Sequence, residues 1–219
     1  MHNALLKFAI ATVMLFTVAA YATPTERVTV VLETELGRVV LAIDTNRTPL
    51  AAAYFLDYID RGQYDGATLY RSLPMDGEAI PQLVQGGVLK DALNSTQPID
   101  LASYGVKTLL PEWTTTAESG TRHRRGSVSL ARALLDTGHV IPEIVFSLRD
   151  ISRMDSGENN PPDGRGFPVI GEVITGMDII DAVSQRETQG ATNIAFLQGQ
   201  ILSTPVPITR AYRQQPLND

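Results

Sequence analysis

The stretch "TLYRSLP", residues 68–74, is followed after a short gap by "IPQLVQGG", residues 80–87. The first piece alternates as a β-strand does and carries one arginine, Arg71, just before a proline-containing turn. The second holds a strand candidate at 83–85 and ends in Gln-Gly-Gly. Arg71 is either a solvated strand residue or the working end of a site, and its neighbours decide between the two.

Upstream, "VTVVLET" at 28–34 is rich in β-formers, Glu35-Leu36-Gly37 gives a turn, and "RVVLAI" follows. Val39, Leu41 and Ile43 alternate, so the pair reads as a hairpin with one buried face. Thr48-Pro49 then opens a helix, with Thr48 at the N-cap and Pro49 in the first turn. Ala52, Phe55, Leu56 and Ile59 form one apolar stripe, and Gly62 is the expected stop. Downstream, strand signals recur at 127–131, 144–148 and 167–174. A short helix is expected over 176–185, with Met177, Ile180 and Val183 on one side. The last strand candidate, 199–208, contains Pro205 and Pro207 and belongs at an edge or an irregularity. Many short strands with only two helices indicate a mainly β barrel. Residues 88–125 read as a long excursion with little regular structure.

The chain of 219 residues, 43% apolar and 19% charged, has the composition of a globular protein. Residues 1–22 stand apart. Lys7 precedes an apolar run at 8–20, and Ala20-Tyr21-Ala22 is a small-x-small cleavage signal before Pro24. This is the layout of a secretory signal peptide cleaved after Ala22, which predicts a periplasmic or secreted protein. The run is shorter than the ~20 apolar residues of a spanning helix, so no membrane span is expected in the mature form. A retained N-terminal anchor is the alternative. Residues 23–219 are expected to form one domain.

Losing Lys7 with the signal leaves 17 basic against 24 acidic residues, a net charge of −7. Such a balance argues against nucleic acid as a partner. The absence of cysteine excludes disulfides, thiolate metal sites and a cysteine nucleophile. His123 and His139 have no metal-ligand spacing and read as loop histidines; no metal or cofactor is expected. "GSVSLA" at 126–131 is not a nucleophile elbow, so Ser127 and Ser129 read as strand serines. "RHRR" at 122–125 reads as a solvated loop.

Taken in order, these pieces resemble the cyclophilin family of peptidyl-prolyl cis-trans isomerases. "VVLETELGRVVLAI" looks like the family's opening hairpin, and "YDGATLYRSLP" like its turn and arginine-bearing strand. "QLVQGG" resembles F-M-x-Q-G-G, "GSVSLAR" resembles G-x-(L/V)-S-M-A, and "GFPVIGEVITGMDIIDAV" resembles V-F-G-x-V-x-x-G-M-D-V. The resemblance implies a closed eight-stranded antiparallel β-barrel capped by two α-helices, with a substrate groove on its outer face. It implies isomerisation of X-Pro bonds in unfolded or extended polypeptides by a chain expected to be monomeric, with Arg71 as the catalytic residue.

The same resemblance assigns the groove to Gln82, Leu83, Gln85, Ala131, Glu143, Val145, Met154 and Phe167. Gln85 and Ala131 match the family pattern, and Leu83 stands in a methionine position. Glu143 replaces a glutamine that binds substrate backbone, and an ionised glutamate only accepts hydrogen bonds. It is also placed to compete for the donors of Arg71. Val145 replaces a phenylalanine of the proline pocket, Gln82 replaces another, and Phe167 replaces a histidine or tyrosine. Met154 falls near the pocket leucine, and Arg153 near a tryptophan. These departures predict reduced activity; the alternative is a non-catalytic module that binds peptides.

Overall fold

A computed structural model describes residues 27–74, 81–94, 101–106, 108–133, 137–157 and 163–214. The expected signal segment lies outside the described residues. The hairpin forms as its pattern predicts: β1 (Arg27–Thr34) and β2 (Gly37–Asp44) pair from Arg27↔Asp44 to Thr34↔Gly37. Val39, Leu41 and Ile43 have no exposed surface, because one face of the hairpin meets the core.

Helix α1 (Pro49–Asp60) buries Ala52, Phe55, Leu56 and Ile59. Thr48 occupies the N-cap, but its hydroxyl donates back to the Asp44 carbonyl at 3.0 Å and makes no cap bond. Gly62, with φ of +64°, closes the helix as Gly62 N–H donates to the Ile59 carbonyl at 2.9 Å. The strands β3 (Thr68–Pro74), β4 (Pro81–Gly87), β5 (Ser127–Arg132), β6 (Val140–Ser147), β7 (Val169–Thr175) and β8 (Ile201–Arg213) complete the sheet. It closes as an eight-stranded antiparallel barrel in the order β1-β2-β7-β5-β6-β4-β3-β8. Val30, Leu41, Phe55, Leu130, Phe146 and Ile170 are among the residues filling its interior.

Two details differ from the sequence reading. β8 runs on to Arg213, because closure supplies β1 as a partner for its second half. Pro205 lies at an irregularity: Leu69 faces Val206, whereas Arg71 faces Ile201. The helices number three among the described residues, not two, with α2 (Thr116–Ser119) and α3 (Met177–Ser184) following α1. α2 lies inside the excursion expected to be irregular and is closed by a capping box between Thr115 and Glu118. Short 3₁₀ turns at Lys90–Asn94 and Leu101–Tyr104 add to it. Trp113 ties the excursion to the barrel, buried in the core with the guanidiniums of Arg132 and Arg165 within 4.6 and 3.8 Å of its ring.

Candidate functional site

The site begins at a break in strand register. Along β3 and β4, Leu69 faces Gly86 and Arg71 faces Gln85, so Tyr70 has no partner across the ladder. Such a bulge re-aims side chains. Leu69 enters the barrel core, whereas Tyr70 and Arg71 both reach Gln85 on the outer face. The Gln-Gly-Gly after Val84 follows from close approach: a Cβ on Gly86 would lie 2.7 Å from Leu69 Cα, and one on Gly87 2.6 Å from Glu143 Cδ.

Arg71 is half-buried, and burial pulls its pKa below the ordinary arginine value. Its Nη1 donates to Gln85 Oε1 at 2.7 Å. Its Nε and Nη2 donate to Gln200 Oε1 at 2.9 and 2.7 Å. Gln200 is oriented by its own Nε2, which donates to the Phe196 carbonyl at 2.7 Å. Each terminal nitrogen of Arg71 therefore keeps one N–H without a partner among the described residues.

From Gln85 the chain of bonds continues inward. Gln85 Nε2 donates to the Tyr70 hydroxyl at 3.0 Å, and Tyr70 donates to Glu143 Oε2 at 2.5 Å. Glu143 Oε1 accepts from the Leu89 backbone N–H at 2.8 Å. No ion pair joins Glu143 to Arg71; Gln85 and Tyr70 stand between them. Glu143 has no exposed surface, and the start of the 88–125 excursion supplies the N–H that holds it. Burial pushes its carboxyl up to about 7, and the bonds from Tyr70, Leu89, Val88 and Gln85 offset only part of that rise. Tyr70 is raised well above its ordinary value by the same burial and by the Glu143 charge.

Beside this network lies an apolar patch. Leu83, Ala131, Val145, Ile151 and Met154 cluster together, flanked by Leu73, Ile141 and Phe167. Their strand neighbours Val84, Leu130, Ile144 and Phe146 point into the barrel, so the patch lies on the outer face. Register sets it next to Arg71: Leu73 faces Leu83, and Gln85 faces Val145. Val145 is 3% and Met154 7% exposed, so these side chains already fill most of the patch. Gln82 is buried and lies apart, its Oε1 accepting from Arg153 Nη2 at 2.7 Å and its Nε2 unpartnered among the described residues. A polar pair thus stands at the two positions where the resemblance expects aromatic rings.

The loop that carries Ile151 and Met154 has a brace the sequence did not reveal. His123 is buried rather than a solvated loop histidine, and its carbonyl accepts from Ile151 N–H at 2.8 Å. Asp155 Oδ1 accepts from the His123 backbone N–H at 2.9 Å and meets the ring Nδ1 at 2.8 Å. Burial raises the Asp155 carboxyl, yet these bonds and Arg122 outweigh it and hold the pKa below its ordinary value. Arg125 is fixed as well, bonded to Asp181 of α3 and to the Leu148 carbonyl.

Residues 29–212 match the family model described as cyclophilin type peptidyl-prolyl cis-trans isomerase/CLD. This chain belongs to the cyclophilin family. Peptidyl-prolyl cis-trans isomerase A of Dickeya dadantii is 27% identical over 182 residues, covering 83% of this chain and 82% of that protein. Peptidyl-prolyl cis-trans isomerase cyp18 of Streptomyces antibioticus is 26% identical, covering 73% and 85%. The cyclophilin-type chain is thus an isomerase acting on proline-containing polypeptides. Of the groove residues inferred from sequence, Leu83, Ala131, Val145, Met154 and Phe167 meet in one cluster, and Arg71, Gln85 and Glu143 share one network. Sequence reasoning missed Gln200, Tyr70 and Ile151. The bulge at Tyr70 has no local signature, and Gln200 lies 129 positions from the arginine it holds.

Proposed function

We propose that Arg71 lowers the barrier to rotation about the X-Pro bond, with the proline ring seated against Leu83, Ala131, Val145, Met154 and Phe167. The barrier of ~18–20 kcal/mol comes from delocalisation of the nitrogen lone pair into the carbonyl. A donor aimed at the prolyl nitrogen favours the twisted state in which that delocalisation is lost. This is preorganised electrostatic stabilisation, and it requires no nucleophile. The observation that carries the assignment is the setting of Arg71: a half-buried guanidinium beside an apolar patch, held only by neutral amide oxygens among the described residues. Its charge is oriented without being neutralised. Gln85 is the orienting partner, and Glu143 acts through Tyr70 and Gln85.

The packed patch and the Gln82–Arg153 pair support a slow enzyme, since little of Val145 and Met154 is open to an entering proline ring. They equally favour a second reading, a peptide-binding module with little catalysis. The layout of residues 1–22 supports export to the periplasm or beyond, where a monomer would act on extended polypeptides during folding. The excess of acidic residues speaks against nucleic acid.

A proline-limited refolding assay with the purified protein decides between the readings. Acceleration that disappears in Arg71→Ala supports catalysis. Peptide binding without acceleration in the wild type supports the module, and equal acceleration by Arg71→Ala overturns the assignment of Arg71.

A further inference from the structure

A cavity of about 270 Å³ lies away from the apolar patch, over the outer face of β2, β7 and β5. Ala42, Val169 and Gly171 contribute small or apolar surface to it, and the chain at 120–125 forms another wall. Five arginines line it: Arg27, Arg47, Arg122, Arg124 and Arg125. The only acidic residue in that lining is Glu172. The whole protein has a net charge of −6, so this concentration of one sign runs against the composition.

The surrounding carboxylates match four of the five guanidiniums and leave Arg124 in excess. Glu172 meets Arg27, Asp44 holds Arg47 at 2.5 Å, and Asp181 holds Arg125 at 2.6 Å. Asp155 meets Arg122 only at 3.5 Å, and the Arg122 side chain is 65% exposed. Asp44, Asp155 and Asp181 do not themselves line the cavity. Arg124 is exposed, its backbone N–H donates to Ser127 Oγ, and its guanidinium has no partner among the described residues. Four carboxylates therefore stand against five guanidiniums, and three of the four, Asp44, Asp155 and Asp181, lie outside the lining. Guanidinium forks match the oxygens of phosphate-class anions, and converging charges in a concave wall reinforce one another.

We propose that this cleft is a binding site for a phosphate-class oxyanion, separate from the isomerase groove. Such a group reaches it either as a free anion or as the headgroup of an anionic lipid. Both sources present the same oxygens to the guanidiniums, so the recognition chemistry is shared and the experiment separates them. Arg124 and Arg122 supply the donors least committed elsewhere.

The test uses inorganic pyrophosphate in titration calorimetry and, separately, co-sedimentation with vesicles of phosphatidylcholine with or without phosphatidylglycerol. The expected result is pyrophosphate binding that weakens with added salt and is about tenfold weaker in Arg124→Glu. Arg124→Gln gives a smaller loss and guards against a folding defect. Refolding activity is unchanged in both variants, because Arg124 touches neither Arg71 nor the patch. Binding to phosphatidylglycerol vesicles alone, lost in Arg124→Glu, assigns the site to a headgroup. Wild type and variant share the same N-terminus, so apolar insertion cannot produce that difference. Binding of neither probe, or equal binding by wild type and Arg124→Glu, overturns the proposal.

Discussion

Gln200 Oε1 accepts two hydrogen bonds from Arg71, from Nε at 2.9 Å and from Nη2 at 2.7 Å. One amide oxygen thereby fixes the plane of the guanidinium while leaving its charge intact. Gln200→Leu removes the acceptor at similar volume and is predicted to lower kcat/KM about tenfold through lost orientation. Gln200→Glu keeps the bonds but sets a carboxylate against the charge. It is predicted to lower kcat/KM further, because a neutralised guanidinium exerts less field at the prolyl nitrogen. Refolding kinetics on both variants check this; activity of Gln200→Glu equal to wild type excludes the role assigned to Gln200.

Arg71 itself is predicted to be irreplaceable by lysine. Lysine carries the same charge but lacks the planar fork that bonds Gln200 and Gln85 together. Arg71→Lys and Arg71→Ala are both expected to lose about a hundredfold in kcat/KM, the scale of removing one preorganised donor. A lysine variant retaining most of the activity would show that charge alone suffices.

Much of this arrangement was legible because its signals are local. The alternation of Val39, Leu41 and Ile43 and the stripe of Phe55, Leu56 and Ile59 each report one buried face, and the structure buries them. Leu83, Ala131 and Val145 were placed by motif, and strand register then brought them together. What escaped depends on distant partners. Tyr70 turns outward only because β3 bulges against β4. His123 is buried only because Asp155, 32 positions away, receives its ring and backbone. Glu143 looked like a groove residue facing Arg71, yet Leu89 and Tyr70 enclose it. The helix α2 was missed inside the excursion, although Thr115 and Glu118 have capping-box spacing.

The His123–Asp155 contact is predicted to hold the pocket loop in place. Asp155→Ala removes an acceptor shared by a buried ring and a buried N–H, at a cost of roughly 1–3 kcal/mol. The folded pKa of Asp155 is depressed, so its contribution is present above the unfolded value and is lost as pH falls through the folded one. Hydrogen exchange should show faster loss of protection at Ile151 and Met154, whose N–H groups bond the His123 and Ile151 carbonyls. Unchanged protection there would separate the pair from the loop.

Glu143 gives the opposite pH dependence. Its pKa rises from 4.5 to about 7 on folding, so between those values the folded state holds a proton that the unfolded state has released. Stability from this group is therefore greatest at low pH and declines as pH rises toward 7, by a total on the order of 3 kcal/mol. Above that range a buried carboxylate remains, stabilised only by Tyr70, Leu89 and their neighbours. Glu143→Gln keeps an oxygen for Leu89 and has nothing to ionise, but its amide N–H faces Tyr70 and takes away the acceptor of the Tyr70 O–H. Denaturant melts of wild type at pH 5 and pH 8 should differ by a few kcal/mol after other titrations are accounted for, and the variant should show a flatter profile. The same substitution tests the function. If Glu143 acts on Arg71 only through Tyr70 and Gln85, Glu143→Gln alters refolding activity modestly and removes its change across neutral pH. If the activity of the variant instead keeps the wild-type pH profile, the buried carboxyl is structural and the chain of bonds from Glu143 to Arg71 carries no influence.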